Sequence, residues 1–334
     1  MESPGFGLRI NPPPHEISNP APDREAVAIL KRIGDRLRQA WPELGILVRA
    51  ANIGSIEKIC GRDMCYNNGM VSSGGMTLEL KKKLVLIDKL RDGIDSFRPL
   101  KPQAQKELRE YYRIDLAYSS NALEGNSLTE SETKIVIEDG LTIGGKPLRD
   151  HYEAVGHSEA YDLLFKLSNK ENISERDILE IHRLFFYRID EEKAGKYRTV
   201  NVIITGARHI PPPPARIKPL MRDFVDGLAA LKKKTHPVEY AALIHLELVT
   251  IHPFQDGNGR TARLLMNLAL LQAGYVITII PPVMRNGYLE AIRRAQGPGR
   301  SKAAFVSFIA GTVHESLKDY LRLLGALNGE RRGH

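Results

Sequence analysis

Cysteine is nearly absent: Cys60 and Cys65 are the only two in 334 residues. That excludes a disulfide framework, and a four-ligand zinc site would need histidines from distant parts of the chain. Two ordinary free thiols is the simple reading. No stretch approaches the roughly 18 consecutive apolar residues of a membrane helix. The opening residues, MESPGFGLRINPPPHEISNP, lack the apolar run of a signal peptide. No internal repeat is present, and charge is not gathered into a tail. The net charge of +8 and pI of about 9.3 tolerate anionic partners. However, the runs Lys81-Lys82-Lys83 and Lys232-Lys233-Lys234 fall inside helical patterns and read as solvated faces rather than nucleic-acid patches. These absences leave a soluble, cytoplasmic protein, with neither membrane nor nucleic acid as an expected partner.

With 42% apolar residues, a sizeable core is within reach. Residues 1 to about 22 are proline-rich and predict little order. Val27, Leu30, Ile33 and Leu37 recur at helical spacing between Asp23 and Ala40, whereas residues 42–76 show no strong period and read as a loop or small irregular lobe. Thr77 is placed to cap a helix with Leu80, Leu84, Ile87, Leu90 and Ile94 along one stripe. Pro99 and Pro102 mark a boundary between an accessory region, 1–100, and a second domain, 101–334. Helical patterns then dominate: one capped by Ser174 with Asp177, one near Leu220, the two strongly apolar VEYAALIHLELVTI and TARLLMNLALLQ, and a last from Ala303 toward Leu324. Gly274 suits the end of the second apolar helix. TVNVII alternates like a strand, with Thr205-Gly206 as its turn. The class is mainly α with one small β element.

Between the two apolar helices lies HPFQDGNGRTAR, residues 252–263. A helix start leaves backbone N–H groups unpaired at the positive end of the dipole. Glycines let that backbone approach a ligand, which makes an anion nest. Arg260 and Arg263 share one helix face, so both guanidinium forks can reach one polyphosphate. Asp256 offers a carboxylate to Mg²⁺ beside phosphate oxygens, and His252 offers a neutral imidazole to an attacking hydroxyl. Taken singly, a histidine before proline is more often structural and Asp-Gly-Asn-Gly is a common turn. Together at this spacing they point to phosphoryl or nucleotidyl transfer, which is mostly positioning and charge stabilisation.

The stretch resembles the signature of the Fic family, H-x-F-x-(D/E)-G-N-G-R-x-x-R, with every position filled. LEIHRLFF, AGKYRTVNVIITG, HIPPPP, HPVEYAALIHLELVTIHPF and LLMNLALLQAGY extend the likeness over roughly Gln103 to Leu324, and it is similar to the branch related to the animal endoplasmic-reticulum enzyme. The first hundred residues are not covered. The resemblance implies a helical Fic fold with a small β-hairpin flap, and transfer of AMP from ATP to a Ser, Thr or Tyr hydroxyl of a target protein. It implies His252 as base, Phe254 as buried anchor, Asp256 as Mg²⁺ ligand, and Gly257, Asn258 and Gly259 as anion hole. Arg260 and Arg263 would bind phosphates, and Asn267 is given a structural role only. Tyr288 and Gln296 would lie near the adenine, with Gln296 standing where relatives have Asn. The flap, including Ile204, Thr205 and Gly206, would pair its edge with the target. Some relatives transfer UMP or phosphocholine; a phosphorylating branch has a degenerate glycine turn, which the intact DGNGR argues against.

A second stretch, SSNALEGNSLTESE, resembles the family's inhibitory motif (S/T)-x-x-x-E-(G/N) through Ser120, Glu124 and Gly125. Ser120 and Glu124 share a helix face, and Gly125 suits a helix end. Alone, this would read as a helix C-terminus with an exposed glutamate. Within the family, Glu124 would pair with Arg263 and deny it to the γ-phosphate. Because the motif precedes the signature, the resemblance implies the class inhibited in cis by an N-terminal helix. It also implies self-modification, a homodimer as a regulatory partner, and possible removal of AMP through Glu124. The rival readings are a non-catalytic nucleotide sensor and a nucleic-acid-linked regulator. Intact His252, Asp256 and Arg263 oppose the first; the lack of a helix-turn-helix or aromatic-basic stripe opposes the second.

Overall fold

The computed structural model describes residues 77–296 and 301–327. The helix expected over Asp23–Ala40, the irregular stretch 42–76 and both cysteines lie outside them. Among the described residues there are ten α-helices and no strand. They are α1 (Leu78–Asp95), α2 (Pro102–Ala122), α3 (Glu130–Glu138), α4 (Leu148–Leu167), α5 (Glu175–Phe186), α6 (Ile217–Lys234), α7 (Pro237–Ile251), α8 (Asn258–Gln272), α9 (Arg285–Gln296) and α10 (Ala303–Leu327). None is long and apolar enough to cross a membrane.

The ends follow local chemistry. Thr77 accepts the Leu80 amide at the start of α1, and Ser174 with Asp177 forms a capping box on α5. Pro237 occupies the first turn of α7, where its missing N–H costs nothing. Gly274, at φ 81°, lets the chain leave α8 while the Tyr275 amide returns to the Leu270 carbonyl. The basic last turn of α6, Lys232 to Lys234, complements the helix dipole.

The centre is α8, of whose 15 residues 12 are buried. A helix apolar on one stripe only would leave a solvated face; this one is packed nearly all round. It lies between α7, α4 and α5, while α10 covers α7 and α2 reaches α8 beside α4. The prolines at 99 and 102 do not separate α1 from this core. Leu80, Leu84, Ile87 and Ile94 join the same apolar cluster, and α1 lies along α10. Truncating the fully buried Ile87 to alanine is expected to lower the free energy of unfolding in urea by about 2–4 kcal/mol. A loss under about 1 kcal/mol would mean that α1 is not part of the core.

Candidate active site

The corner from α7 to α8 is built against conformational preference. His252 caps α7 with φ 52° and ψ 58°, the left-handed region that glycine favours. Three contacts hold it there. Its amide donates to Leu248 O at 2.8 Å, its ring Nδ1 lies 3.3 Å from Val249 O, and Arg198 Nε donates to the His252 carbonyl at 2.9 Å. A carbonyl only accepts, so Nδ1 carries the proton and Nε2 keeps its lone pair. Burial lowers the imidazole to about 4, against a weaker opposing effect of the Val249 carbonyl. His252 is therefore neutral at neutral pH.

The loop that follows is pinned from inside. Phe254 is fully buried, its ring parallel to that of His182 at 3.8 Å. Asn258 turns its side chain back, accepting the Phe254 amide at 2.9 Å and donating to its carbonyl at 2.8 Å. Only its main chain is thus left for the anion nest. His182 accepts the Gly195 amide at Nδ1, 2.9 Å, so its Nε2–H donates to the Asp256 carbonyl at 3.1 Å. Gly257 has φ 77°, and a Cβ there would stand 2.8 Å from the Phe185 ring. At Gly259 a Cβ would meet Glu124 Oε1 at 2.3 Å, so the carboxylate rests directly on the glycine nest.

The two arginines of α8 sit in different company. Arg263 is 2% exposed. Its Nε donates to Ser120 Oγ at 2.9 Å, Nη1 to the Tyr288 hydroxyl at 3.2 Å, and Nη2 to Ser120 O at 2.9 Å and Glu124 Oε1 at 2.7 Å. Burial opposes its charge, but Tyr288 and Glu124 outweigh that and raise its pKa. Glu124 follows the same logic in reverse: burial raises it, while Arg263 and Arg260 hold it below the usual carboxylate range. Arg260, equally buried, pairs with Glu153 Oε1 at 2.8 Å, approaches Asp256 Oδ1 at 3.4 Å and lies 4.5 Å from the centre of the Phe185 ring. Burial, with Arg263 and Arg260 nearby, pushes His157 down to about 3, so no third positive charge forms behind them. Asn267 bonds the Arg263 carbonyl and both main-chain groups of Thr278, a structural role. Ser120 lies in the last turn of α2; Glu124 stands in the turn beyond it, and Gly125 has φ 96°.

One cavity of about 140 Å³ gathers the separate motifs: Glu124, Ile204, Thr205, Gly206, His252, Gly259, Tyr288 and Gln296 all line it. Gln296 donates to Thr250 Oγ1 at 2.9 Å at its edge. A larger cavity of about 680 Å³ among Arg98, Tyr161, Tyr275 and Tyr320 shares no residue with it. The flap differs from the expected β-hairpin. Residues 201–204 form no regular element, and the turn is closed by the Ala207 amide on Ile204 O at 3.1 Å. Pro211 to Pro214, at the base of the returning limb, have no N–H to donate; residues 207–210 keep theirs, yet no ladder forms. Arg198 replaces it. The same guanidinium that holds the His252 carbonyl donates to Val200 O at 2.9 Å and Pro212 O at 2.5 Å, tying both stems.

Among the described residues no cluster of three or more His, Cys, Asp or Glu could cage a metal. Asp256 stands alone with a half-exposed carboxylate; burial raises its pKa, and Arg260, the Gly257 amide and Arg149 lower it further than that. A single hard oxygen ligand beside an anion nest fits Mg²⁺, which keeps several waters and shares phosphate oxygens. Four residues of this assembly carry no sequence signal of their own: Arg149, Glu153, His182 and Arg198. His182 and Arg198 sit in stretches that resemble the family, but nothing in their spacing marks them.

The sequence pattern of the Fic/DOC family matches residues 172–270. Protein adenylyltransferase Fic of Drosophila grimshawi is 36% identical over 244 residues, covering 72% of this chain and 49% of that protein. Its Drosophila melanogaster counterpart is also 36% identical over 244 residues, with 72% and 48% covered. The chain thus spans about half the length of the curated relatives it matches. Among solved structures, Fic-1 from C. elegans superposes with a TM-score of 0.66 at 34% identity, covering 75% of this chain and 74% of that one. A Fic domain containing signaling protein from Bacteroides thetaiotaomicron gives 0.66 at 28% identity, with 71% and 96% covered. With its complete signature, its helical architecture and a solved relative matched over most of its length, the chain belongs to the Fic/DOC family.

Proposed function

We propose that this Fic protein is a protein adenylyltransferase, moving AMP from ATP to a Ser, Thr or Tyr hydroxyl of a target protein, and that Glu124 restrains it in cis. The observation that carries this reading is the convergence of His252, Gly259, Tyr288, Gln296, the flap turn and Glu124 on one cavity, with Glu124 bound to Arg263. The name of the Drosophila relatives supports the reaction.

In this reading the target hydroxyl donates its proton to His252 Nε2 as its oxygen bonds to the α-phosphorus. The bond from that phosphorus to the bridging oxygen breaks, and pyrophosphate leaves. The α8 first-turn amides and the Gly257–Gly259 backbone stabilise the charge on the phosphoryl oxygens. Asp256 holds Mg²⁺, which neutralises phosphate charge. Tyr288 and Gln296 face the adenine. The flap, unpaired between its Arg198-held stems, offers main-chain groups to an extended target segment.

Glu124 acts by occupancy and by charge. Ligand pockets usually measure about 300–1,000 Å³, and Glu124 takes part of the space in a cavity of about 140 Å³. Arg263 turns its Nη2 to Glu124 and is withheld from the γ-phosphate. Because Glu124 and His252 line the same cavity, Glu124 can also orient water to release AMP from a modified target, a second activity on the same groups. The cysteine-poor composition supports a cytoplasmic setting. A homodimer that holds α2 in place is the further regulatory partner we envisage.

Glu124→Gly is expected to raise incorporation of label from α-labelled ATP into the protein itself by about tenfold or more, the scale of one charge-assisted hydrogen bond. Equal labelling of wild type and variant would sink the restraint. His252→Ala added to Glu124→Gly should abolish labelling; persistent transfer would remove His252 as base. Because burial holds His252 near 4, its ring C–H resonances in the free protein should stay flat from about pH 8 down to about pH 5.5, unlike an ordinary histidine with a midpoint near 6.5. A midpoint above about 6 would contradict the buried, neutral base.

A further inference from the structure

Asp256 is flanked by two guanidiniums, and only one of them belongs to the glycine-rich motif. Arg260 approaches Oδ1 at 3.4 Å. Arg149, at the start of α4, donates from Nη2 to Oδ2. The same buried carboxylate sets both: Glu153, 5% exposed, accepts Arg260 Nη1 at 2.8 Å and Arg149 Nε at 3.1 Å on one oxygen. Its other oxygen accepts Asn126 Nδ2 at 2.9 Å, just past the Glu124–Gly125 turn. Arg149 is therefore tethered at Nε while its Nη end reaches Asp256. Its side chain is 51% exposed, and Nη1 makes no hydrogen bond among the described residues.

The tether and the free end have different fates when substrate arrives. Glu153 keeps its grip, because it lies behind the arginines and faces no ligand space. A divalent cation on Asp256 Oδ2 would compete with the Arg149 guanidinium for that oxygen, because the two positive charges repel. Once Arg149 yields that oxygen, its half-exposed Nη groups are free to take a new acceptor within a side-chain swing. The oxygens that enter beside Asp256 are those of a polyphosphate, and a planar guanidinium fork matches them.

We propose that Arg149 is a polyphosphate-binding residue. In the free protein it is parked on Asp256; in the substrate complex it moves to the phosphates that leave as pyrophosphate. It would be a third cation beside Arg260 and Arg263, and would favour nucleoside triphosphates over monophosphates. The inference rests on the reading of Asp256 as the Mg²⁺ carboxylate.

The test is calorimetric titration of the full chain carrying Glu124→Gly, in Mg²⁺, with the ATP analogue whose α,β-bridging oxygen is replaced by an imido group, so that AMP cannot be transferred, and separately with AMP. Arg149→Gln should weaken the imido analogue about tenfold, the scale of one charge-assisted bond to phosphate, and leave AMP affinity unchanged. Arg149→Lys should recover part of the loss, since it restores the charge but not the fork. Unchanged affinity for the imido analogue, or an equal loss for AMP, overturns the assignment. Asp256→Ala separates the two readings. If it removes the Mg²⁺ dependence of binding while Arg149→Gln changes nothing, only the role of Arg149 fails. If the Mg²⁺ dependence survives Asp256→Ala, the metal assignment fails and takes this proposal with it.

Discussion

A guanidinium with almost no access to water is the constraint around which the site is arranged. Arg263 is 2% exposed on the most deeply buried helix of the bundle. Such a charge is tolerable only when paired and hydrogen-bonded on every side. Ser120 gives it a hydroxyl and a carbonyl, Tyr288 a hydroxyl and Glu124 the opposite charge. Three distant segments, the end of α2, the start of α9 and the first turns of α8, are thereby held at one point. Exchanging Glu124 for a phosphate keeps the charge compensated, so the resting and loaded states can both be folded states. In the proposed reading, a carboxylate rather than a neutral plug is therefore an occupant that a phosphate could replace.

Around this pair the loop is held by main-chain acceptors. The left-handed His252 is unfavourable for a non-glycine residue, and the Arg198 guanidinium pays that cost by bonding three carbonyls, at His252, Val200 and Pro212. His182 joins the Asp256 carbonyl to the Gly195 amide across a stacked Phe254. Arg198 and His182 touch no proposed substrate atom. They fix the direction in which the His252 Nε2 lone pair and the glycine nest face.

Much of this was legible because it is local. The residues from His252 to Arg263 are contiguous, and caps, glycines and apolar stripes act over a few residues, so α1, α5, α7, α8 and α10 were readable from spacing. Ser120, Glu124 and Gly125 needed the family pattern, since a glutamate near a helix end has an equally good solvated reading. The flap was misread as a hairpin because alternation in TVNVII speaks for one limb, while pairing depends equally on the other, which runs into four prolines. Arg149, Glu153, His182 and Arg198 were invisible for a different reason. A single charged residue or histidine in a helix or linker pattern looks the same whether its partner is water or a carboxylate a hundred residues away.

Placing Arg260 and Arg263 on a helix with 12 of 15 residues buried has a consequence for how this protein can fail. On a surface loop, loss of an active-site arginine would give a stable, inert protein. On α8, the same change leaves the buried Ser120 hydroxyl and carbonyl without their guanidinium partner, each costing about 1–3 kcal/mol, while Tyr288 keeps His245 Nε2 at 2.9 Å and Glu124 reaches solvent. That is a sizeable part of the margin of an ordinary domain. Catalytic competence and cellular abundance are therefore coupled through one helix, and variants of Arg263 are expected to be lost from the cell as protein before they can persist as silent copies.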